Sequence, residues 1–124
     1  MIDLQRDLFD AAIRGEGIAV VDCWADWCQP CRGFAPIYER LARRFPDHRF
    51  YRLDTDAERD LRDALQVAQI PTILLYRDGI LLFRSTGTMT EEALANVIEQ
   101  AAALDMQRVR AELAADAAGE ASEA

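Results

Sequence analysis

A short apolar segment that leads directly into two cysteines constrains this chain more than any other feature. Residues 18–24 are mostly apolar and predict a buried β-strand, and Cys28, Gln29, Pro30 and Cys31 follow a few positions later. Proline is well tolerated in the first turn of a helix. The order therefore predicts a strand, a tight loop and a helix that begins at the cysteines. A lone Cys-x-x-Cys at a strand end indicates a thiol–disulfide redox site first, with metal binding as the alternative.

The composition is that of one ordinary globular domain. The chain has 124 residues, of which 51% are apolar, so it can bury a core without disulfide bonds to stabilise the fold. Its formal net charge of -8 disfavours nucleic acid and anionic membranes as partners.

The sequence predicts neither a targeting segment nor a membrane span. Asp3, Asp7 and Asp10 interrupt the apolar positions of the N-terminus, which argues against a signal peptide. No stretch approaches the roughly 18 uncharged apolar residues that a transmembrane helix needs. Three cysteines is an odd number and does not indicate a secreted disulfide framework. We therefore expect a reducing, cytoplasmic setting.

Hydrophobic periodicity predicts alternating helices and strands along the chain. Strands that are separated by helices favour parallel pairing, and Asp78-Gly79 predicts a hairpin that adds an antiparallel edge strand. The result is an α/β fold with a central mixed sheet of four to five strands and helices on both faces. A long helix is predicted after Gly87. The other predicted helices cover residues 3–14, 31–44 and 57–66, and the predicted strands cover 18–24, 49–54, 70–76 and 80–84.

The C-terminal part of the chain is predicted to extend beyond the domain. We expect one domain over residues 1–104 and a helical extension over 105–124, with a frayed acidic end. A solvated helix is one interpretation of this extension. A helix for self-association or for a partner is the other, so a monomer is expected and a dimer through this helix stays open.

The order of the two cysteines predicts which one attacks the substrate and which one resolves the mixed disulfide. Only a thiolate attacks a disulfide, and free cysteine has a pKa of about 8.5. Cys28 should stand at the helix N-terminus, where unpaired N–H groups and the helix dipole stabilise negative charge. Cys31 should lie one turn further in. We expect Cys28 to attack a substrate disulfide and Cys31 to resolve the mixed disulfide.

Asp22 is the candidate proton acceptor for Cys31. It is a carboxylate inside the apolar run 18–24, and burial raises the pKa of a carboxyl group toward neutrality. The alternative is that Asp22 lies at an exposed strand end.

These residues together resemble the thioredoxin family. The run from Val21 to Cys31 is similar to the active-site segment of thioredoxins, and Ile70-Pro71-Thr72 is similar to their cis-proline loop. Gly87 falls where the family has a glycine of the substrate groove. The resemblance covers roughly residues 18–103.

The resemblance implies a docking surface for disulfide-containing client proteins. In the family the peptide bond before the residue that matches Pro71 is cis, and the backbone of the preceding residue, here Ile70, pairs with the client as an added strand. Gln29 adds a polar side chain at the mouth of the site. The apolar residues of this surface would be Trp27, Pro30, Ile70, Pro71 and Gly87.

The resemblance also implies the source of electrons. Thioredoxins bind no cofactor themselves, and a flavin-containing thioredoxin reductase returns them to the reduced state with NADPH. The function implied is therefore protein-disulfide reduction by dithiol–disulfide exchange.

Two positions depart from the family pattern. Gln29 replaces the usual glycine between the cysteines, and the dipeptide there tunes the reduction potential. Arg52 stands where the family usually has a lysine near the buried aspartate. Because arginine stays charged, we expect Arg52 to hold the pKa of Asp22 lower than a lysine would.

Other interpretations remain open at this point. The chain could be a co-chaperone or binding module that uses the same groove with weak redox activity. It could be a net oxidant or isomerase, although such relatives often have histidine between the cysteines. A zinc site would need four ligands, and the chain offers one cysteine pair with Cys23 and His48. Cys23 is predicted to be a core residue, with regulatory oxidation as the alternative, and His48 is predicted to lie in a surface loop.

Overall fold

A computed structural model of the chain describes residues 2–123 as five strands and five helices. The strands are β1 (Ile2–Asp3), β2 (Ile18–Trp24), β3 (Arg49–Asp54), β4 (Thr72–Arg77) and β5 (Ile80–Thr86). The helices are α1 (Arg6–Arg14), α2 (Gln29–Arg44), α3 (Arg59–Ala64), α4 (Glu91–Ala103) and α5 (Met106–Glu123). Within this part of the chain, none of the helices is long and apolar enough to cross a membrane.

The five strands form one mixed sheet in the order β1-β3-β2-β4-β5. β1 and β2 each pair with β3 in parallel, while β4 is antiparallel to both β2 and β5. The predicted fold class, a mixed sheet with flanking helices and a further C-terminal helix, is confirmed. The sequence did not indicate β1, which has only two residues and therefore no periodicity to detect.

The predicted parallel pairing of β4 is wrong. β4 lies on the far side of β2 from β3 and runs antiparallel to β2, with Cys23 opposite Thr72. Alternation of helices and strands gives parallel pairing only when the connection carries the chain back along the sheet. The connection from β3 to β4, residues 55–71, instead leaves the chain at the end of the sheet where β2 and β3 finish, so β4 begins opposite the end of β2.

The sheet has an apolar core on each face. Side chains alternate along β2, so Val20 and Asp22 face α2 and α4 while Val21 and Cys23 face α1 and α3. The first core includes Ile18, Val20, Phe34, Tyr38, Leu41, Phe50, Ile73, Leu75, Leu94 and Ile98. The second includes Leu4, Phe9, Ala19, Val21, Cys23, Leu53, Leu61, Val67, Leu74 and Tyr76.

The last two helices are separated by a short break at Leu104 and Asp105. One guanidinium nitrogen of Arg77 donates hydrogen bonds to three carbonyl oxygens at the end of α4, those of Ala101, Ala102 and Leu104, at 2.7–3.0 Å. The Asp105 carboxylate accepts bonds from the first backbone N–H groups of the next helix. α5 then continues to Glu123, through residues where the sequence predicts fraying. The division of the chain at residue 104 stays a prediction.

Candidate active site

The two cysteines form a disulfide at the N-terminus of α2. Their Cα atoms are 5.2 Å apart, and Cys28 is the N-cap residue of the helix. The backbone N–H of Cys31 donates to the sulfur of Cys28 at 3.2 Å. Pro30 lies in the first turn, where its missing N–H removes no helical hydrogen bond. The predicted strand, loop and helix at the cysteines therefore form as expected.

This geometry can stabilise a thiolate at Cys28 once the disulfide is reduced. The sulfur already accepts a backbone N–H bond, and it lies at the positive end of a 16-residue helix. Cys28 is 4% exposed and Cys31 is 1% exposed, so Cys28 has the greater access to solvent.

Asp22 lies on the same side of the sheet as Cys31. It follows Val20 on the face that packs against α2, and Cys31, Phe34 and Tyr38 form the buried stripe of that helix. Asp22 is only 1% exposed, so the alternative of an exposed strand end is wrong.

The Asp22 carboxylate is buried without a hydrogen bond to either oxygen from the described residues. Burial raises the pKa of this carboxyl group to about 7, and the nearby positive charge of Arg52 lowers it in part. A group with this pKa exchanges protons near neutral pH.

Arg52 is aligned with Asp22 across the pairing of β2 and β3. Its guanidinium carbon lies 3.8 Å from the centre of the Trp24 ring, an arrangement typical of a cation–π contact. The charge of Arg52 is therefore close to Asp22, but the side chain packs on the indole.

Two loops lie against the cysteine pair. The Ile70–Pro71 peptide bond is cis, and the Ile70 carbonyl oxygen lies 3.8 Å from the sulfur of Cys28. The N–H of Gly87, which has a φ of +95°, donates to the carbonyl of Pro71 at 2.8 Å. The fold thus brings Ile70, Pro71 and Gly87 to the end of the sheet where β2 finishes and Cys28 lies.

Trp27 is the most exposed large apolar side chain beside the disulfide, at 66%. Its indole Nε1 donates to the carboxylate of Asp56 at 2.9 Å. Gln29 and Pro30 are also exposed at the start of α2. Asp56 was not predicted as a site residue, since it lies in another loop and no local pattern links it to Trp27.

Cys23 and His48 do not belong to this site. Cys23 is a free, fully buried thiol on the opposite face of β2, and burial raises its pKa to about 12. His48 is half-buried, with its ring stacked on Phe45. Within residues 2–123, no group of three or more His, Cys, Asp and Glu side chains is placed to hold a metal ion.

The fold and the site together define a class of protein that exchanges thiols and disulfides through a dithiol at a helix N-terminus. The thioredoxin family model matches residues 1–100, so the chain belongs to the thioredoxin family. It is a thiol–disulfide oxidoreductase that reduces protein disulfides, and its clients are disulfide-containing proteins.

Relatives and solved structures agree with this assignment. A protein named as a thioredoxin 2 of Streptomyces coelicolor is 38% identical over 109 residues, covering 88% of this chain and 81% of that protein. Thioredoxin of Borreliella burgdorferi is 36% identical over 71% of this chain and 76% of its own length. A mutant thioredoxin from Halobacterium salinarum has a TM-score of 0.77 and 30% identity, covering 83% of this chain and 91% of that structure.

Proposed function

We propose that Cys28 is the nucleophile that attacks the client disulfide. Its thiolate forms a bond to one client sulfur, the client S–S bond breaks, and the second client sulfur leaves as a thiolate that takes a proton from solvent. The observation that carries this assignment is the Cys31 N–H bond to the Cys28 sulfur at the N-terminus of α2.

Cys31 completes the reaction. Its thiol gives a proton to the Asp22 carboxylate, and the resulting thiolate attacks the sulfur of Cys28. The mixed disulfide breaks, the client leaves with both sulfurs reduced, and the Cys28–Cys31 disulfide forms. The burial of Asp22 on the face of β2 that packs against α2, with a pKa of about 7, supports its role as the proton acceptor.

The client lies across the surface formed by the two loops and the start of α2. Ile70 pairs through its backbone with the client chain, and Gln29 borders the mouth of the site. The proximity of the Ile70 carbonyl to the Cys28 sulfur supports this placement. The contact surface consists of Trp27, Pro30, Ile70, Pro71 and Gly87.

Arg52 tunes the site by holding the pKa of Asp22 below the value that burial alone would give. Its alignment with Asp22 on the neighbouring strand supports this role.

Electrons reach the protein from NADPH through a flavin-containing thioredoxin reductase, so the protein carries electrons between that enzyme and its clients in the cytoplasm. The membership in the thioredoxin family supports this route. The protein acts as a monomer, with residues 1–104 as the redox domain and 105–124 as an extension.

Insulin reduction with NADPH and a thioredoxin reductase tests the function, and three matched alanine variants test the roles. Cys28→Ala is expected to abolish turnover, and Cys31→Ala is expected to accumulate a mixed disulfide with insulin. Cys23→Ala is the matched control that keeps turnover. A mixed disulfide in Cys28→Ala would reverse the roles. Client binding by wild-type protein without turnover would instead indicate a binding module.

A further inference from the structure

An open apolar groove of about 500 Å³ lies beside the disulfide, between α2 and the loop that precedes α4. Its volume falls in the range of pockets that bind organic groups. Phe34, 1% exposed, belongs to the buried core, while Ile37 and Met89 are partly buried against that core. The groove is lined chiefly by Pro30, Gly33, Phe34, Ile37, Thr88 and Met89.

Gly33 lines this groove without a side chain. It lies inside α2, where glycine is less favourable than alanine because it costs more backbone entropy. A Cβ atom added at this position would meet no atom within 4 Å, so packing within the fold does not require glycine there. A longer side chain would instead project toward the space that the groove occupies.

The groove is continuous with the surface on which the client lies. Pro30 belongs to both, and Thr88 directly follows Gly87. Gly33 is about 7 Å further along the helix axis than Cys28, at about 1.5 Å per residue. Two to three residues of extended chain, at about 3.3 Å each, span the same distance.

We infer that this groove binds an apolar side chain of the client, two or three residues from the cysteine that Cys28 attacks. The inference rests on the proposed function, because it places the client across the adjacent surface. The partly exposed aliphatic side chains of Ile37 and Met89 favour a phenylalanine, leucine or methionine side chain over a polar one. Gly33 is therefore a specificity-determining residue of the reductase.

Symmetric disulfides of a heptapeptide with a central cysteine test the groove. Phenylalanine replaces serine at each position in turn, and kcat/KM is measured for each peptide. We expect phenylalanine two or three residues from the cysteine, on one side, to raise kcat/KM about tenfold over the serine parent. Values within twofold of the parent at every position would overturn the inference while leaving the reductase function intact.

Gly33→Met tests the residue itself by filling the groove. The ratio of kcat/KM between the preferred phenylalanine peptide and the serine peptide is expected to fall from about ten to about one. Gly119→Met is the matched control, because Gly119 also lies in a helix with no atom within 4 Å of an added Cβ. A preference that survives in Gly33→Met contradicts the inference. Failure of the wild-type protein to reduce any peptide contradicts the proposed function itself.

Discussion

Asp22 and Arg52 stand opposite each other on β2 and β3, yet no hydrogen bond joins their side chains in the described structure. The Arg52 guanidinium lies over the Trp24 ring instead, and both Asp22 oxygens are buried without a partner. The guanidinium therefore offsets only part of the cost of burying the carboxylate, whose pKa is about 7. This incomplete pairing should affect the stability of the protein, the rate of the resolving step and the titration of Asp22.

Replacing Asp22 with asparagine is expected to stabilise the oxidised protein above neutral pH. The carboxyl group ionises near pH 3.8 when exposed but near 7 in the fold, so the folded state binds more protons between these values. Wild-type stability therefore falls as the pH rises from about 4 to about 7. Ionisation of the buried Asp22 should lower the free energy of unfolding by roughly 4 kcal/mol, at about 1.4 kcal/mol per pKa unit. Urea unfolding of the wild type and of Asp22→Asn at pH 4, 6 and 8 measures this loss of stability.

Asp10→Asn provides the control for this measurement. Asp10 is an exposed carboxylate on α1, with 74% of its side chain accessible. Its replacement removes an exposed ion pair with Arg14 and should change the free energy of unfolding by less than about 0.5 kcal/mol. A constant gap between Asp22→Asn and wild type from pH 4 to pH 8 would contradict the raised pKa.

The resolving step should depend on the ionisation of Asp22. If ionised Asp22 accepts the Cys31 proton, as we propose, the step accelerates as the pH rises through about 7. Asp22→Asn is expected to slow it about a hundredfold, a typical contribution of general base catalysis. Ellman's reagent resolves the two steps, since the second release of nitrothiobenzoate reports attack by Cys31. Equal second-phase rates in the two proteins would remove Asp22 from the mechanism.

Changes at Arg52 should shift the titration of Asp22. Arg52→Met removes the positive charge while keeping an apolar stem over Trp24, so the pKa of Asp22 should rise above about 7. Arg52→Lys should give an intermediate value, because lysine can lose its proton whereas arginine stays charged. The carboxyl carbon signal of Asp22 in NMR spectra follows the titration. Arg40→Ala, which removes an ion pair to Glu91 elsewhere on the surface, is the control. A midpoint that is unchanged in Arg52→Met would exclude a tuning role.

Arg77 is expected to stabilise the end of α4. Arg77→Ala leaves three carbonyl oxygens without their charged donor, at a cost of about 2 kcal/mol in the free energy of unfolding. Arg108→Ala breaks an exposed ion pair with Glu112 and should cost less than about 0.5 kcal/mol. Thermal unfolding compares the two, and amide exchange should quicken at the end of α4 only in Arg77→Ala. Equal effects of both changes would show that the bonds to α4 contribute little.

Local signals in the sequence were sufficient for much of the site. The apolar run of β2, the position of Pro30 and the alternation of side chains placed Cys28 at a helix N-terminus and Asp22 inside the protein. Each of these depends on neighbours within one strand or one helical turn. The positions of Ile70 and Gly87 followed from the family resemblance and not from local pattern.

Features that depend on the path of the chain in space could not be predicted in this way. The direction of β4 depends on the path of the connection over residues 55–71, which periodicity does not report. The bond from Trp27 to Asp56 joins two loops, and neither residue signals its partner in the sequence. The strand that contains Arg52 was predicted correctly, but the packing of Arg52 on Trp24 depends on a side-chain conformation that the strand pattern does not determine.

The antiparallel pairing of β2 with β4 also bears on protein synthesis. Both cysteines have been translated by residue 31, but the segments that cover them, at Pro71 and Gly87, come much later in the chain. At ribosomal speeds of about 5–20 residues per second, the thiols precede those segments by an interval on the order of seconds. A nascent chain thus contains both cysteines before it has the segments that form the proposed client surface. The surface that we propose for the client can form only after Gly87 has been synthesised.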